Sequence, residues 1–173
     1  MIVRREVPDD RAAIFAVHTA AFATPDGREV VEAKLVDALR EDGDVIPALS
    51  LVAVLDEAFV GHVVCSRASM EGRPSLGLGP LGVLPAFQRQ GVGHALMHAV
   101  LAAADALEEP AVVLLGDPAY YRRFGFVPAP PLGILPVDPA WTEYFQVRTL
   151  SAWDGSLHGT FSLRAGFRPP VGA

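Results

Sequence analysis

Cysteine is almost absent: Cys65 is the only one in 173 residues. That excludes an intrachain disulfide and any multi-cysteine zinc site. Lysine is equally scarce, with Lys34 alone beside 13 arginines, and asparagine does not occur. We read that skew as genome composition rather than function. Charge is sparse as well, at 20% of residues, with 14 basic against 20 acidic and a formal net charge of −6. A chain that grips DNA or RNA through phosphates needs a basic face, so this balance argues against a nucleic-acid partner. No apolar run exceeds about six residues, where a membrane-spanning helix needs roughly 20. The start, Met1 to Glu6, lacks the apolar stretch of a signal peptide. The expectation is a soluble cytoplasmic protein with no membrane partner.

What is present is apolar surface. Hydrophobic residues make up 51%, which excludes a disordered chain. At this length the prior is one domain, able to bury about 70% of its unfolded surface. No linker or internal repeat divides residues 1–173, so a core over 1–150 with a C-terminal extension over 151–173 packed on it is expected.

The pattern predicts a first strand at 2–6 and a helix after Pro8-Asp9-Asp10, which offers an N-cap. Val31, Leu35, Ala38 and Leu39 mark a second helix. Two Val-rich runs, 49–55 and 59–65, read as a hairpin, with a polar loop over 70–75 and a glycine-rich strand over 76–84. Val92, Leu96, Ala99, Val100, Ala103 and Leu107 fall on one face of a third helix. A buried strand at 111–115, a short helix over 118–124 stopped by Gly125, a Pro-rich irregular stretch to 139 and two late strands complete the order. Mixed hairpins and one strand–helix–strand unit make an α+β pattern around one sheet.

The chemistry concentrates in Leu81-Gly82-Val83 and the following Gln88-Arg89-Gln90-Gly91-Val92-Gly93-His94. These residues join a strand to the N-terminus of the third helix. A helix start carries unpaired N–H groups and the positive end of the dipole. Gly91 and Gly93 remove side chains there, while Gln88 and Arg89 add a donor and a charge, so the turn reads as a phosphate or pyrophosphate site. The two glycines also permit a tight strand-to-helix turn without any ligand.

Competing motifs are weaker. Gly77-Leu78-Gly79-Pro80-Leu81-Gly82 formally matches a dinucleotide fingerprint, but that motif must open a helix, and this run is strand-like. There is no P-loop and no nucleophile elbow. His94 and His98 stand four apart, yet no third ligand lies near, so no metal is expected. His18 and His62 read as satisfied helix and strand residues, and Cys65 as a buried hydrophobe.

Gln88-x-x-Gly91-x-Gly93, placed after Leu81-x-Val83, resembles the acyl-CoA signature of the GNAT N-acetyltransferase superfamily. The later block Gly116-Asp117-Pro118-Ala119-Tyr120-Tyr121-Arg122-Arg123-Phe124-Gly125-Phe126 resembles that superfamily's second motif. In its fuller form it is similar to a bacterial subgroup of predicted acetyltransferases, the YhbS-like proteins. The resemblance implies an α+β single-domain GNAT-like fold: a mixed, mostly antiparallel sheet with splayed fourth and fifth strands, flanked by about four helices. It implies acetyl-CoA as co-substrate, with the backbone of Leu81 and Val83 holding the pantetheine. The amides from Gln90 through Gly91, Val92 and Gly93 to His94, with Gln88 and Arg89 beside them, would hold the pyrophosphate. It implies Tyr121 as the acid that meets the departing thiolate. The acceptor would be a small-molecule or peptide amine, the protein a monomer or homodimer. A general base is not legible: Glu29, Glu32, Asp117 and a water relay all stand as candidates. A non-catalytic acyl-CoA-binding sensor is the alternative from another functional class.

Overall fold

The computed structural model describes residues 1–163. Strand β1 (Ile2–Arg5) leads through a Pro8–Asp10 turn of 3₁₀ helix into α1 (Arg11–Ala21) and α2 (Val31–Glu41). Then come β2 (Val45–Leu55), β3 (Ala58–Met70), β4 (Arg73–Val83), α3 (Val92–Ala106), β5 (Ala111–Leu115) and α4 (Pro118–Tyr121). The two-residue strands β6 (Val127–Pro128) and β7 (Ile134–Leu135) interrupt the Pro-rich stretch, and β8 (Phe145–Thr149) and β9 (Gly159–Leu163) close the described chain. The order across the sheet is β1-β2-β3-β4-β5-β8-β6, with β9 beside β3 and β7 beside β9. Pairing is antiparallel except between β4 and β5 and between β7 and β9.

Both faces of the sheet are covered, which is why the strands are nearly continuous apolar runs. On one face α3 buries Val92, Leu96 and Val100 against Leu51, Val63 and Leu76, each side chain contributing about 1.5–3 kcal/mol of transfer free energy. On the other, α1 and α2 bring Ile14 and Val36 onto Val52 and Val64. The apolar stripe of α3 lies as expected at 92, 96 and 100 but continues through Met97, Leu101 and Ala104. Leu107, expected on that stripe, is the exposed C-cap, because the helix ends there.

Two expectations change. The polar loop over 70–75 is instead the tip of a long β3–β4 hairpin, whose turn is only Glu71-Gly72, both at positive φ. Polarity there reflects solvent exposure of the hairpin end, not loss of pairing. Strand β2 begins at Val45 rather than 49; exposed Pro47, which has no N–H to give a ladder, sits in a register shift between Val45 and Ser50. The described part of the C-terminal extension packs on the sheet through β9, and its last residues, 164–173, lie outside the described residues.

Candidate active site

Strands β4 and β5 pair at only two positions, Leu76 with Val112 and Gly77 with Val113. Beyond them the strands part. The cause is local to β4. Between Val63↔Leu81 and Cys65↔Leu78 the partner strand advances two residues while β4 advances three, so β4 carries a bulge. Past the bulge, β4 stays bonded to β3 on one edge only. The Leu84 N–H donates to the Val60 carbonyl at 2.9 Å. Strand alternation therefore turns Gly82 toward β3 as well, and the N–H and C=O groups of Leu81 and Val83 toward the gap. An extended arm lying there would find the hydrogen bonds of an added strand.

The gap leads to the start of α3. Gly91 is its N-cap at φ +87°, and Arg89 is also left-handed at φ +61°. The first helical bond runs from the Ala95 N–H to the Gly91 carbonyl, 2.9 Å. The amides of Val92, Gly93 and His94 therefore have no partner inside the helix, and no side chain caps them. A cradle of free amides at the positive end of a 15-residue helix suits an anion.

The surrounding side chains behave differently from the sequence expectation at several points. The Gln88 side-chain amide donates to the Val83 carbonyl at 3.1 Å, bracing the turn and taking one acceptor site of that strand end. Gln90 likewise ties back to the Ala86 carbonyl at 2.8 Å. Arg89 is exposed. Gly91 is needed for its backbone angle, since a Cβ there would meet open space. Gly93 has another reason. A Cβ there would stand 2.8 Å from the Tyr120 hydroxyl and 3.6 Å from Val83 Cγ2. Tyr120 thus brings a hydroxyl to the junction of β4 and the cradle.

Tyr121 sits deeper. Its ring fills the space over Gly116 and packs edge-on against Tyr120 and Phe126, with centroids 4.9 and 5.8 Å away. Burial, with Tyr120 and Asp117 adding to it, pushes its pKa well above the usual phenol range. Its hydroxyl has no hydrogen-bond partner among the described residues. Asp117 spends one carboxylate oxygen capping α4, accepting from the Ala119 N–H at 2.8 Å. Exposed Glu29 pairs with Lys34, and Glu32 stands half-buried in the first turn of α2. His94 and His98 hold each other at 3.0 Å on the exposed face of α3, flanking Phe124. Among the described residues no three His, Cys, Asp or Glu side chains converge as a metal site. Burial raises the Cys65 thiol far above its ordinary pKa, which keeps it an unreactive part of the core.

A buried polar chain was not legible in the sequence. His18 on α1 meets His62 on β3 at 2.8 Å, and His62 meets Ser50 on β2 at 2.9 Å. Ser50 donates to Glu6 at 2.6 Å, and Glu6 takes two further bonds from Arg40 on α2. Only the assembly of four elements and the segment after β1 creates it; none of these residues is a sequence neighbour of another.

Residues 47–128 match the acetyltransferase (GNAT) domain family. The chain is 36% identical over 166 residues, 94% of each chain, to the Escherichia coli K12 protein named uncharacterized N-acetyltransferase YhbS. It is similar to the crystal structure of the E. coli GNAT family N-acetyltransferase YhbS in complex with CoA, at 33% identity and TM-score 0.84, covering 92% of this chain and 87% of that one. It is similar also to a GNAT family acetyltransferase from Brucella melitensis in complex with acetyl-CoA, at 34% identity and TM-score 0.79, covering 96% and 97%.

Proposed function

This chain belongs to the GNAT family of acetyltransferases, and from that premise we propose that it transfers an acetyl group from acetyl-CoA to a primary amine by direct attack in a ternary complex. The observation that carries the reading is the continuity of two backbone sites. The free edge of β4 at Leu81 and Val83 runs into the unpaired amides of Val92, Gly93 and His94, a strand-like slot followed by an anion cradle. An acyl-pantetheine joined to a pyrophosphate has that sequence of chemistry. The relatives crystallised with CoA and acetyl-CoA support the same ligand.

In the reaction a neutral amine attacks the thioester carbonyl, the N–C bond forms and the C–S bond breaks. The chain's contribution is proximity and orientation of the two reactants, with fixed backbone donors near the carbonyl oxygen. Tyr121 donates a hydrogen bond to the departing sulfur. Complete proton transfer from a phenol of ordinary pKa near 10 to a thiolate of about 8.5 is already uphill by about 2 kcal/mol, and the raised pKa of Tyr121 makes it more so. The thiolate's proton therefore comes from solvent while Tyr121 stays protonated and polarising. The amine's proton leaves by a water relay, since Glu29 is paired to Lys34 and Asp117 is a helix cap. We take residues 1–173 as one acyltransferase domain working in the cytoplasm.

The test is thiol release from acetyl-CoA over a panel of amines of graded pKa. A neutral attacker is needed and no carboxylate stands on β4. At fixed neutral pH, rates should therefore favour α-amino groups, which cost about 1 kcal/mol to deprotonate, over lysine-like amines, which cost about 4.6 kcal/mol. Binding of acetyl-CoA with no turnover on any amine would overturn the enzymatic reading in favour of a sensor.

A further inference from the structure

The buried chain from Glu6 to His18 has a defined proton order. An ionised carboxylate only accepts, so the single proton of Ser50 points to Glu6. His62 Nε2, 2.9 Å from Ser50 Oγ, must then donate to that hydroxyl. Burial lowers the pKa of His62 and keeps it neutral. Its Nδ1 is therefore bare and accepts from His18 Nε2–H at 2.8 Å. His18 is neutral as well, which leaves its own Nδ1 bare. That nitrogen is fully buried and has no partner. It lies over Gly82: a Cβ on Gly82 would stand 2.7 Å from it. In the ladder Gly82 is directly opposite His62, the previous member of the chain.

The same rungs are pressed from the other face. Gly61 pairs with Val83, and a Cβ on Gly61 would stand 3.0 Å from both Leu96 Cδ1 and Val92 Cγ1 of α3. Two glycines thus let α1 and α3 close on one point of the β3–β4 ladder. Helix α3 carries the anion cradle, and β4 at that point carries Leu81 and Val83. The outer end of the chain is Arg40, which also lines a cleft of about 580 Å³ between α1 and α2.

We propose that His18 is a positioning residue for the acyl-CoA strand: held in one orientation by the chain through His62, Ser50 and Glu6, it seats β4 at Gly82. It thereby sets the spacing between the backbone of Leu81 and Val83 and the cradle on α3. The proposal rests on the reading of β4 and α3 as the acetyl-CoA site. An apolar side chain in place of His18 could fill the same volume, but nothing would fix its angle over Gly82. The links that are made, from Glu6 through Ser50 and His62 to His18 Nε2, fix the ring's angle, because the His18 ring cannot turn without losing its bond to His62.

The experiment is calorimetric titration of the full chain with two ligands, acetyl-CoA and adenosine 3′,5′-bisphosphate, with thermal unfolding as a control of folding. The bisphosphate reaches the cradle but has no pantetheine to lay on β4. His18→Gln keeps a donor toward His62 but removes the ring edge over Gly82. Ser50→Ala removes the middle link two strands away from β4, leaving His62 only its longer 3.4 Å contact with Glu6, and leaves α1 and β4 untouched. Both should weaken acetyl-CoA about tenfold, the worth of one well-made hydrogen bond to the arm, and leave the bisphosphate within about twofold of the parent. A chain that serves stability alone would lower the melting temperature and weaken both ligands together or neither, and either result overturns the proposal. If the unmodified protein gives no heat with acetyl-CoA, the site reading itself fails and takes this inference with it. Heat with the parent and unchanged acetyl-CoA affinity in both variants overturns the positioning role alone.

Discussion

Lowering the pH from about 7.5 to about 5 should remove about 2 kcal/mol of folding stability through His18 alone. The unfolded chain's imidazole titrates at its ordinary value of 6.5, whereas burial, with the nearby His62 and Arg40 adding to it, lowers His18 to about 3 in the fold. A base with a depressed folded pKa binds fewer protons folded than unfolded. Its stabilising contribution is therefore complete above about pH 6.5 and drains away as the pH falls toward about 3. At about pH 5 the unfolded His18 is almost wholly protonated and the folded one is not, which gives the figure above. Burial also lowers His62, with Glu6 opposing, so it acts in the same direction. The carboxylates scarcely interfere in this window. For Glu6, burial is outweighed by bonds from His62, Arg40 and Ser50, which hold its pKa far below the ordinary 4.5. Its loss therefore falls mainly below about pH 4.5. Urea unfolding followed by tryptophan fluorescence at the two pH values measures the difference, with the slope against denaturant as the check on two-state behaviour. His18→Gln should be less stable than the parent at about pH 7.5 and lose less on acidification. A parent protein whose unfolding free energy is the same at both pH values, or a variant with the parent's full pH dependence, would refute the assignment of two neutral buried imidazoles.

Other outcomes follow from single contacts. Gly91→Val puts a β-branched residue at φ +87°, and should abolish the rise in melting temperature that acetyl-CoA gives the parent, about 2.7 kcal/mol of linkage at a hundredfold excess over Kd; an undiminished rise would place the ligand elsewhere. Gly93→Ala should weaken acetyl-CoA by forcing the Tyr120 hydroxyl aside, and adding Tyr120→Phe, which deletes the atom 2.8 Å from that Cβ, should restore part of the affinity measured by calorimetry. Tyr121→Phe should keep acetyl-CoA binding and lower kcat by at least about tenfold, the worth of one hydrogen bond to the sulfur and short of the roughly hundredfold or more of full acid catalysis; a fall of less than about threefold would make Tyr121 a packing residue.

The core elements were legible because each rests on a local signal. The periodicity of α3, the Val-rich strands β2, β3 and β5, and the left-handed Gly125 that ends the turn after α4 at φ +79° need no tertiary information. The turn from Leu81 to His94 was legible for the same reason, since an unpaired helix start depends on neighbours in sequence. What was not legible is side-chain direction. Gln88 reads as a donor for an anion, and in the fold its amide also braces the Val83 carbonyl. Gly93 reads as clearance for a ligand, and it also makes room for the Tyr120 hydroxyl. In both cases the residue type was informative and its target was not, because the target lies across a tertiary contact.

The buried chain is the extreme of that limit, and it bears on how the fold handles protons. In the sequence Glu29, Glu32, Asp117 and a water relay all stand as candidate bases. The structure gives Glu29 and Asp117 partners of their own and puts its most strongly assembled titratable group elsewhere, in side chains drawn from β2, β3, α1, α2 and the segment after β1. Each member taken singly looks ordinary: a histidine on an amphipathic helix, a histidine and a serine in apolar strands, a glutamate after an edge strand. Their meaning comes from order. Glu6 fixes Ser50, Ser50 fixes His62, His62 fixes His18, and His18 ends on Gly82, where β4 has no side chain to oppose it. A strand that must present its backbone to a ligand cannot be held by side chains on the gap edge. It has to be held from its faces, and the glycines at 61 and 82 are where the two helices take hold.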